Sequence, residues 1–421
     1  MKFLRTVSTR RLLAIIVGLV SAIVAGAAIA VAAQGSGPVP APKPLPNAIH
    51  TALAAPAPAG ITARISFSNH LIDASDLQGA DPILTGGTGR LWLSSDHRLR
   101  LELQSDSGDA QVVVNQRSFW IYEPSANTVY RGTLPADKGG AAGAKAKDKR
   151  RAGADKLPSL AEIQKNLTKL AQHVNISGAI PGDVAGRPAY TVRVSPKHDG
   201  GLLGAGELAW DAIRGVPLRI AVYAQNDATP VLELKATDIS YGRIPASVFA
   251  ISPPSTAKVV KVNTATSGHA GMAKGAMAKL HARHREISGA GAVAKRLPFK
   301  LVAPSKLVGL PRQSVRLLDW GGHPAALVTY GQNLGGVAVL EQTTAAAKNG
   351  PAPGPAGGPA SGKNGREHHG LNLPTVSING AAGQELDTAL GTLVRFDRGG
   401  VTYTVLGSVP AAAADAAARA L

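Results

Sequence analysis

The chain has no cysteine in its 421 residues. That excludes disulfides, a thiolate nucleophile, a cysteine-ligated metal and a lipid-modified N-terminal cysteine. Aromatic residues are scarce, at 4%, and they form neither an RNA-stacking pattern nor part of a recognition helix. Acidic residues are also few, 27 against 45 Lys and Arg, which leaves a formal charge of +18. The basic excess gathers in 2–11, 138–156 and 258–300. These stretches read as membrane-proximal or unfolded, so nucleic acid is not the expected partner; the basic loop reads as solvated disorder, with attraction to anionic headgroups or wall polymers as its functional alternative.

Catalytic signatures are missing too. No Ser-His-Asp arrangement carries a nucleophile elbow. "GLLGAG" (201–206) follows a loop instead of leading from strand to helix, so it is no phosphate cradle. Glu207 and Asp211 in "GELAWDA" lie near a strand end, with no partner carboxylate at a defined separation for acid–base work. Asp211 reads as a turn or sheet-edge hydrogen bonder. His281, His284, His368 and His369 fall in stretches without apolar scaffolding and read as solvated linker histidines. No catalytic residue, metal or cofactor is expected, and the chain does not read as an enzyme.

What is present begins at the N-terminus. Residues 12–33, "LLAIIVGLVSAIVAGAAIAVAA", carry no charge and reach the ~20 residues that span a bilayer as a helix. Lys2, Arg5, Arg10 and Arg11 precede them, and the next charge is Lys43. The positive-inside rule puts the N-terminus in the cytoplasm and the bulk outside, as a single-pass cell-membrane protein. Cleaved secretion at Ala30-Val31-Ala32 is the alternative.

A Pro-rich tether is expected over 34–47, with a short helix following near Ala48–Ala55. The first module covers 48–262. Its signal is alternation: in "HRLRLELQS" (97–105) Leu99, Leu101 and Leu103 point one way and Arg98, Arg100, Glu102 and Gln104 the other. Leu91 and Leu93 share the apolar face of that hairpin. "SFWIYEPSANTVYRG" (118–132) reads as strand-turn-strand. Residues 136–156 read as a disordered basic loop. "LPSLAEIQKNLTKLAQH" (157–173) is an amphipathic helix with a capping box at Ser159 and Glu162 and a stripe of Leu160, Ile163, Leu167 and Leu170. A second strand group follows over 188–242. A linker (263–296) leads to a small module (297–421) with a disordered insert at 345–370 and a terminal Ala-rich helix. The fold class expected is α+β: a strongly curved antiparallel sheet with a helical lid, a small second α+β domain, and an N-terminal transmembrane helix.

The first module resembles the LolA-like lipoprotein-carrier superfamily. The likeness is carried by "SFWIYEPSANTVYRG", by "LAWDAIRGVPLRIAVYAQND" with its Trp-Asp pair and Gly-x-Pro-Leu-Arg turn, and by "ATDISYGRIPASVFAISPP". It implies an incomplete β-barrel with helices as a lid, whose members hold lipoprotein acyl chains, glycolipids or membrane-protein peptides in an apolar cavity. One group, RseB, restrains an anti-sigma factor. The second module, through "GTLVRFDRGGVTYTVLGSVP", is similar to a small domain of unknown function in anti-sigma-like and LolA-like membrane proteins.

The site expected is an apolar cavity between sheet and helix, lined by Leu91, Leu93, Leu99, Leu101, Leu103, Trp120, Tyr122, Leu160, Ile163, Leu167 and Leu170. Trp120 and Tyr122 alternate with Phe119 and Ile121, so only one of the two pairs faces it. The function expected is membrane-anchored binding of a lipid, acyl chain or lipoprotein segment. The alternative is an RseB-like regulator that contacts an anti-sigma factor or other membrane protein.

Overall fold

The computed structural model describes residues 37–72, 86–105, 108–124, 127–133, 157–198, 200–262, 287–320, 323–349 and 373–421. The expected membrane span, the basic loop 136–156 and the four linker histidines lie outside these residues. So does the expected insert beyond residue 349. No helix among the described residues is long and apolar enough to cross a membrane. The described residues form two compact units, one holding those up to 262 and the other those from 287, with two short stretches, 71–72 and 198–203, grouping with the second.

The first unit opens with helix α1 (Leu45–Ala54). It starts inside the expected tether because Pro44 and Pro46 sit at the helix start, where proline's fixed φ favours the first turn. The residues before it are held as well. Lys43 bridges Ala179, and the Tyr190 hydroxyl donates to the Ala41 carbonyl at 2.5 Å.

Strands β1 (Gly60–Asn69), β2 (Gly86–Ser94), β3 (Leu99–Ser105), β4 (Gly108–Asn115), β5 (Ser118–Glu123) and β6 (Thr128–Thr133) form a meander. Helix α2 (Leu160–Leu170) follows, its capping box present at Ser159 and Glu162. Then come β7 (Val174–Ile176), β8 (Ile180–Val184), β9 (Arg187–Pro196), β10 (Leu203–Asp211), β11 (Pro217–Ala224), β12 (Pro230–Tyr241), a 3₁₀ turn (Ala246–Phe249) and β13 (Lys258–Val262).

All thirteen join one sheet in the order β13-β6-β5-β4-β3-β2-β1-β12-β11-β10-β9-β7, with β8 beside β9. The sheet is a curled half-barrel, as the LolA-like resemblance implies. Strand twist accumulated over so many neighbours makes a flat sheet untenable. The curl is marked at Gly89, where a Cβ would stand 1.9 Å from the Glu102 carbonyl oxygen of the neighbouring strand. One pairing departs from the expected antiparallel pattern: β13 runs parallel to β6. Parallel neighbours need a long crossover, and here it is everything from β7 to β12.

The second unit contains α3 (Ala290–Ala294), β14 (Lys306–Leu307), β15 (Leu310–Trp320), β16 (His323–Tyr330), β17 (Val337–Thr343), α4 (Thr344–Asn349), β18 (Thr375–Ile378), β19 (Ala381–Thr388), β20 (Gly391–Arg398), β21 (Val401–Gly407) and α5 (Ala411–Arg419). Its sheet has the order β14-β15-β16-β17-β21-β20-β19-β18. α5 buries Ala414, Ala417 and Ala418 in a core with Val328, Val339, Val394 and Val405. The unit starts about ten residues before the expected Leu297: Val293 of α3 is fully buried in that core, and Ser288 bridges Arg316. The described residues of the chain are mostly β with few helices, so the two α+β domains expected are corrected to two β-sheet units.

Candidate functional site

The register of the first sheet sets its side chains in rows. On one face Tyr241, Ile61, Leu93, Leu99, Val114 and Phe119 stand abreast from β12 to β5. The next row is Ile239, Ala63, Leu91, Leu101, Val112 and Ile121. Period-two alternation makes both rows apolar. Ile61, Val114 and Phe119 are buried; Leu91, Leu93, Leu99, Leu101, Val112 and Ile121 are half-buried. The rows cross six strands, a path of ~24 Å at ~4.8 Å per strand.

Both helices lie on this same face, at its other end. Leu45, Ala48, Ile49, Ala52 and Leu53 of α1 and Ile163 of α2 pack with Tyr190, Val192, Val194, Leu208 and Trp210 of β9 and β10. The Tyr190 and Trp210 rings meet at 6.1 Å between centroids. Leu167 and Leu170 flank that core half-buried. Leu160 points away, 43% exposed.

The expected site residues are therefore divided. Leu91, Leu93, Leu101 and Leu103 belong to a cluster with Ile61, Ile65 and Ile239. Leu99 packs with Val114, Phe119 and Ile121. Ile163, Leu167 and Leu170 belong to the helix-covered core. Register carries the face across from one region to the other: Ile220 of the helix core stands opposite Leu234, and Leu234 opposite Phe67 of the leucine cluster. At this seam Leu234 is 42% exposed.

Trp120 and Tyr122 are a correction. They lie on the opposite face, packed with Val113, Val129, Ile251 and Ala257. Trp120 is opposite Val113, one step out of phase with the leucines. The segment after β12 returns over them: Arg100 donates to the Val248 carbonyl at 3.0 Å, and Asn115 reaches that of Phe249. Register settles the phase that alternation left open: Phe119 stands opposite Val114, and Val114 opposite Leu99, on the leucine side.

The opposite face also carries a buried ionic brace. Glu207 accepts from Arg193 at 2.7 Å, Arg219 at 2.6 Å and the Tyr223 hydroxyl at 2.9 Å. Arg219 also pairs with Glu233 at 2.5 Å. Burial pushes the Glu207 carboxyl up, but the Arg219, Arg193 and Tyr223 hydrogen bonds outweigh it and hold it below its ordinary value. A carboxylate committed to three donors braces strands; it does not shuttle protons. Asp211 is the turn bonder expected. It accepts from the Ile213 and Arg214 amides, each at 2.8 Å, and from the Tyr241 hydroxyl at 2.8 Å. The turn closes at Gly215 (φ +65°), where a Cβ would strike the Ala52 carbonyl of α1 at 2.2 Å.

In the second unit Glu341 was not singled out from the sequence. It is fully buried. One carboxyl oxygen accepts from the Val302 amide at 3.0 Å, and the other has no hydrogen-bond partner. Burial pushes its pKa up to about 7, against a small pull downward from the Val302 amide. Tyr330, itself raised to about 12 by burial and then by the Glu341 charge, has an unpartnered hydroxyl.

No family model matches the chain, and no curated protein matches it. Among solved structures it is similar to the MucA/MucB complex of Pseudomonas aeruginosa, at 16% identity over 86% of this chain and 92% of that one, with a TM-score of 0.36. It is similar to MucB alone at 17% identity over 89% and 96%, with a TM-score of 0.33. A domain from Vibrio parahaemolyticus named for outer-membrane lipoprotein sorting matches at 11% identity over 46% and 89%, with a TM-score of 0.15.

Proposed function

We propose that the first unit is a binding module without catalysis, which holds an acyl chain of a lipid or lipoprotein on the helix-free part of its apolar face. Residues 12–33 would tether it to the outer side of a membrane. The observation that carries this reading is the open seam: two apolar rows run ~24 Å across the sheet, and on the same face Leu234, between Phe67 of the leucine cluster and Ile220 of the helix core, stays 42% exposed. Large apolar side chains grouped on an incompletely covered face mark a binding surface. Each CH₂ removed from water contributes roughly 0.8 kcal/mol, so about ten would contribute ~8 kcal/mol before the cost of association.

The test is extraction of the purified full chain with organic solvent and mass spectrometry of the extract, beside uptake of a fluorescent fatty acid. Co-purifying acyl lipid and saturable uptake support the reading. Absence of both overturns it.

A second reading is a regulator that contacts a membrane protein such as an anti-sigma factor. Its support is the outer edge of β13, which pairs with no other strand among the described residues and leaves Val259 52% exposed. Such an edge can accept an added strand. A photocrosslinker at Val259 that captures one protein, in a chain whose extract holds no lipid, would favour it.

A further inference from the structure

One end of the first apolar row differs from the rest. The row finishes at Tyr241, and two guanidinium groups lie against that ring. Arg187 stands 5.3 Å and Arg214 5.8 Å from its centroid. Arg187 comes from the start of β9 and Arg214 from the β10–β11 turn, so separate elements bring the two charges to one place. Arg187 spends one donor on the Ile239 carbonyl, at 2.9 Å. Neither guanidinium has a carboxylate within ion-pair distance among the described residues. Asp211, the nearby acid, is occupied by the Ile213 and Arg214 amides and the Tyr241 hydroxyl. Arg214 is exposed and Arg187 half-buried, so their remaining donors are open to a ligand.

From this we infer that the occupant of the apolar face is an amphiphile with an anionic head: Arg187 and Arg214 take the head beside Tyr241, and the chain lies along Ile61, Leu93 and Leu99. The inference rests on the acyl-chain reading above and adds the chemistry of the head and its direction on the sheet. Guanidinium groups pair with carboxylate or phosphate through two parallel N–H donors, and the apolar Tyr241 ring beneath them strengthens such a pair relative to open water. A carboxylate head and a phosphodiester head share this chemistry.

The test uses the full chain in detergent micelles with three photoactivatable lipids of matched chain length: a fatty acid, a phosphatidylglycerol and a fatty alcohol. Labelling of at least one anion should exceed that of the alcohol by about ten-fold, the worth of a charge-assisted hydrogen bond. In Arg214→Gln that ratio should fall toward one. Arg214 is the first choice because its side chain makes no hydrogen bond that the fold relies on; Arg187→Gln, which gives up the Ile239 contact, is read only beside a matching thermal melt. Preference for the fatty acid assigns a compact carboxylate head; preference for phosphatidylglycerol assigns a phosphate. Equal labelling of all three lipids, or a ratio that Arg214→Gln leaves unchanged, overturns the head assignment while the acyl-chain reading stands. No labelling by any lipid overturns both.

Discussion

A carboxylate is fully buried in the second unit, and a leucine is 42% exposed in the first. Glu341 lies inside a sheet whose apolar face is closed by α3 and α5, and burial alone lifts its pKa to about 7. Leu234 lies on a sheet whose apolar face is closed by α1 and α2 over β7, β9 and β10 and as far as Ile220 of β11. Apolar side chains gather on one face of each sheet. What differs is the supply of covering elements. A strand pattern says which face wants to be dry; the helices decide how much of it becomes so.

The contrast can be broken in three ways, in order of effect. Trp210→Ala should cost about 3–5 kcal/mol, because it empties the centre of the helix-covered core. Urea unfolding followed by circular dichroism checks this, and a loss under 1 kcal/mol would mean that the covered part is not solid.

The second test is pH. The folded-state pKa of Glu341 lies above its ordinary 4.5, at about 7. The second unit's stability is then fully present below pH ~4.5 and is lost as pH rises through 7, by about 3 kcal/mol in all. Glu341→Gln should flatten that slope in a pH series of unfolding curves. A wild-type curve that is level from pH 5 to 8 would show the carboxyl to be less secluded than its burial implies.

The smallest stability effect is expected at the seam. Leu234→Asp should cost about 1–2 kcal/mol, since the site is partly solvated but Asp is a poor strand former, and should reduce fatty-acid uptake by about ten-fold. Uptake that survives the change moves the ligand elsewhere.

Much of this architecture was legible in the residues. Leu99, Leu101 and Leu103 announced their strand and its dry side. Ser159 with Glu162 announced α2, and Asp211 its turn. The misreadings share a cause: local pattern was asked about something that distant partners decide. Alternation alone lets either Trp120 or Phe119 face the cavity; pairing phase puts Trp120 under the segment 249–257. Pro44 and Pro46 looked like tether, although proline also begins helices. The Ala/Gly-rich run around Val293 looked like linker, because a five-residue helix with one buried anchor has no periodicity to detect. The strand β13 reads Lys-Val-Val-Lys-Val, but nothing local says that it will lie parallel to β6. The split of the expected site followed from the same limit: helical spacing in Leu160–Leu170 marks a packing stripe without naming the strands beneath it.

That parallel pairing has a topological consequence. The first six strands and the last seven are stitched at two seams, β1 to β12 and β6 to β13, one in the middle of the sheet and one at its margin. A nick between Thr133 and Leu160 would leave a front piece clasped on both flanks by the back piece, and the thirteen-strand order would outlive the peptide bond.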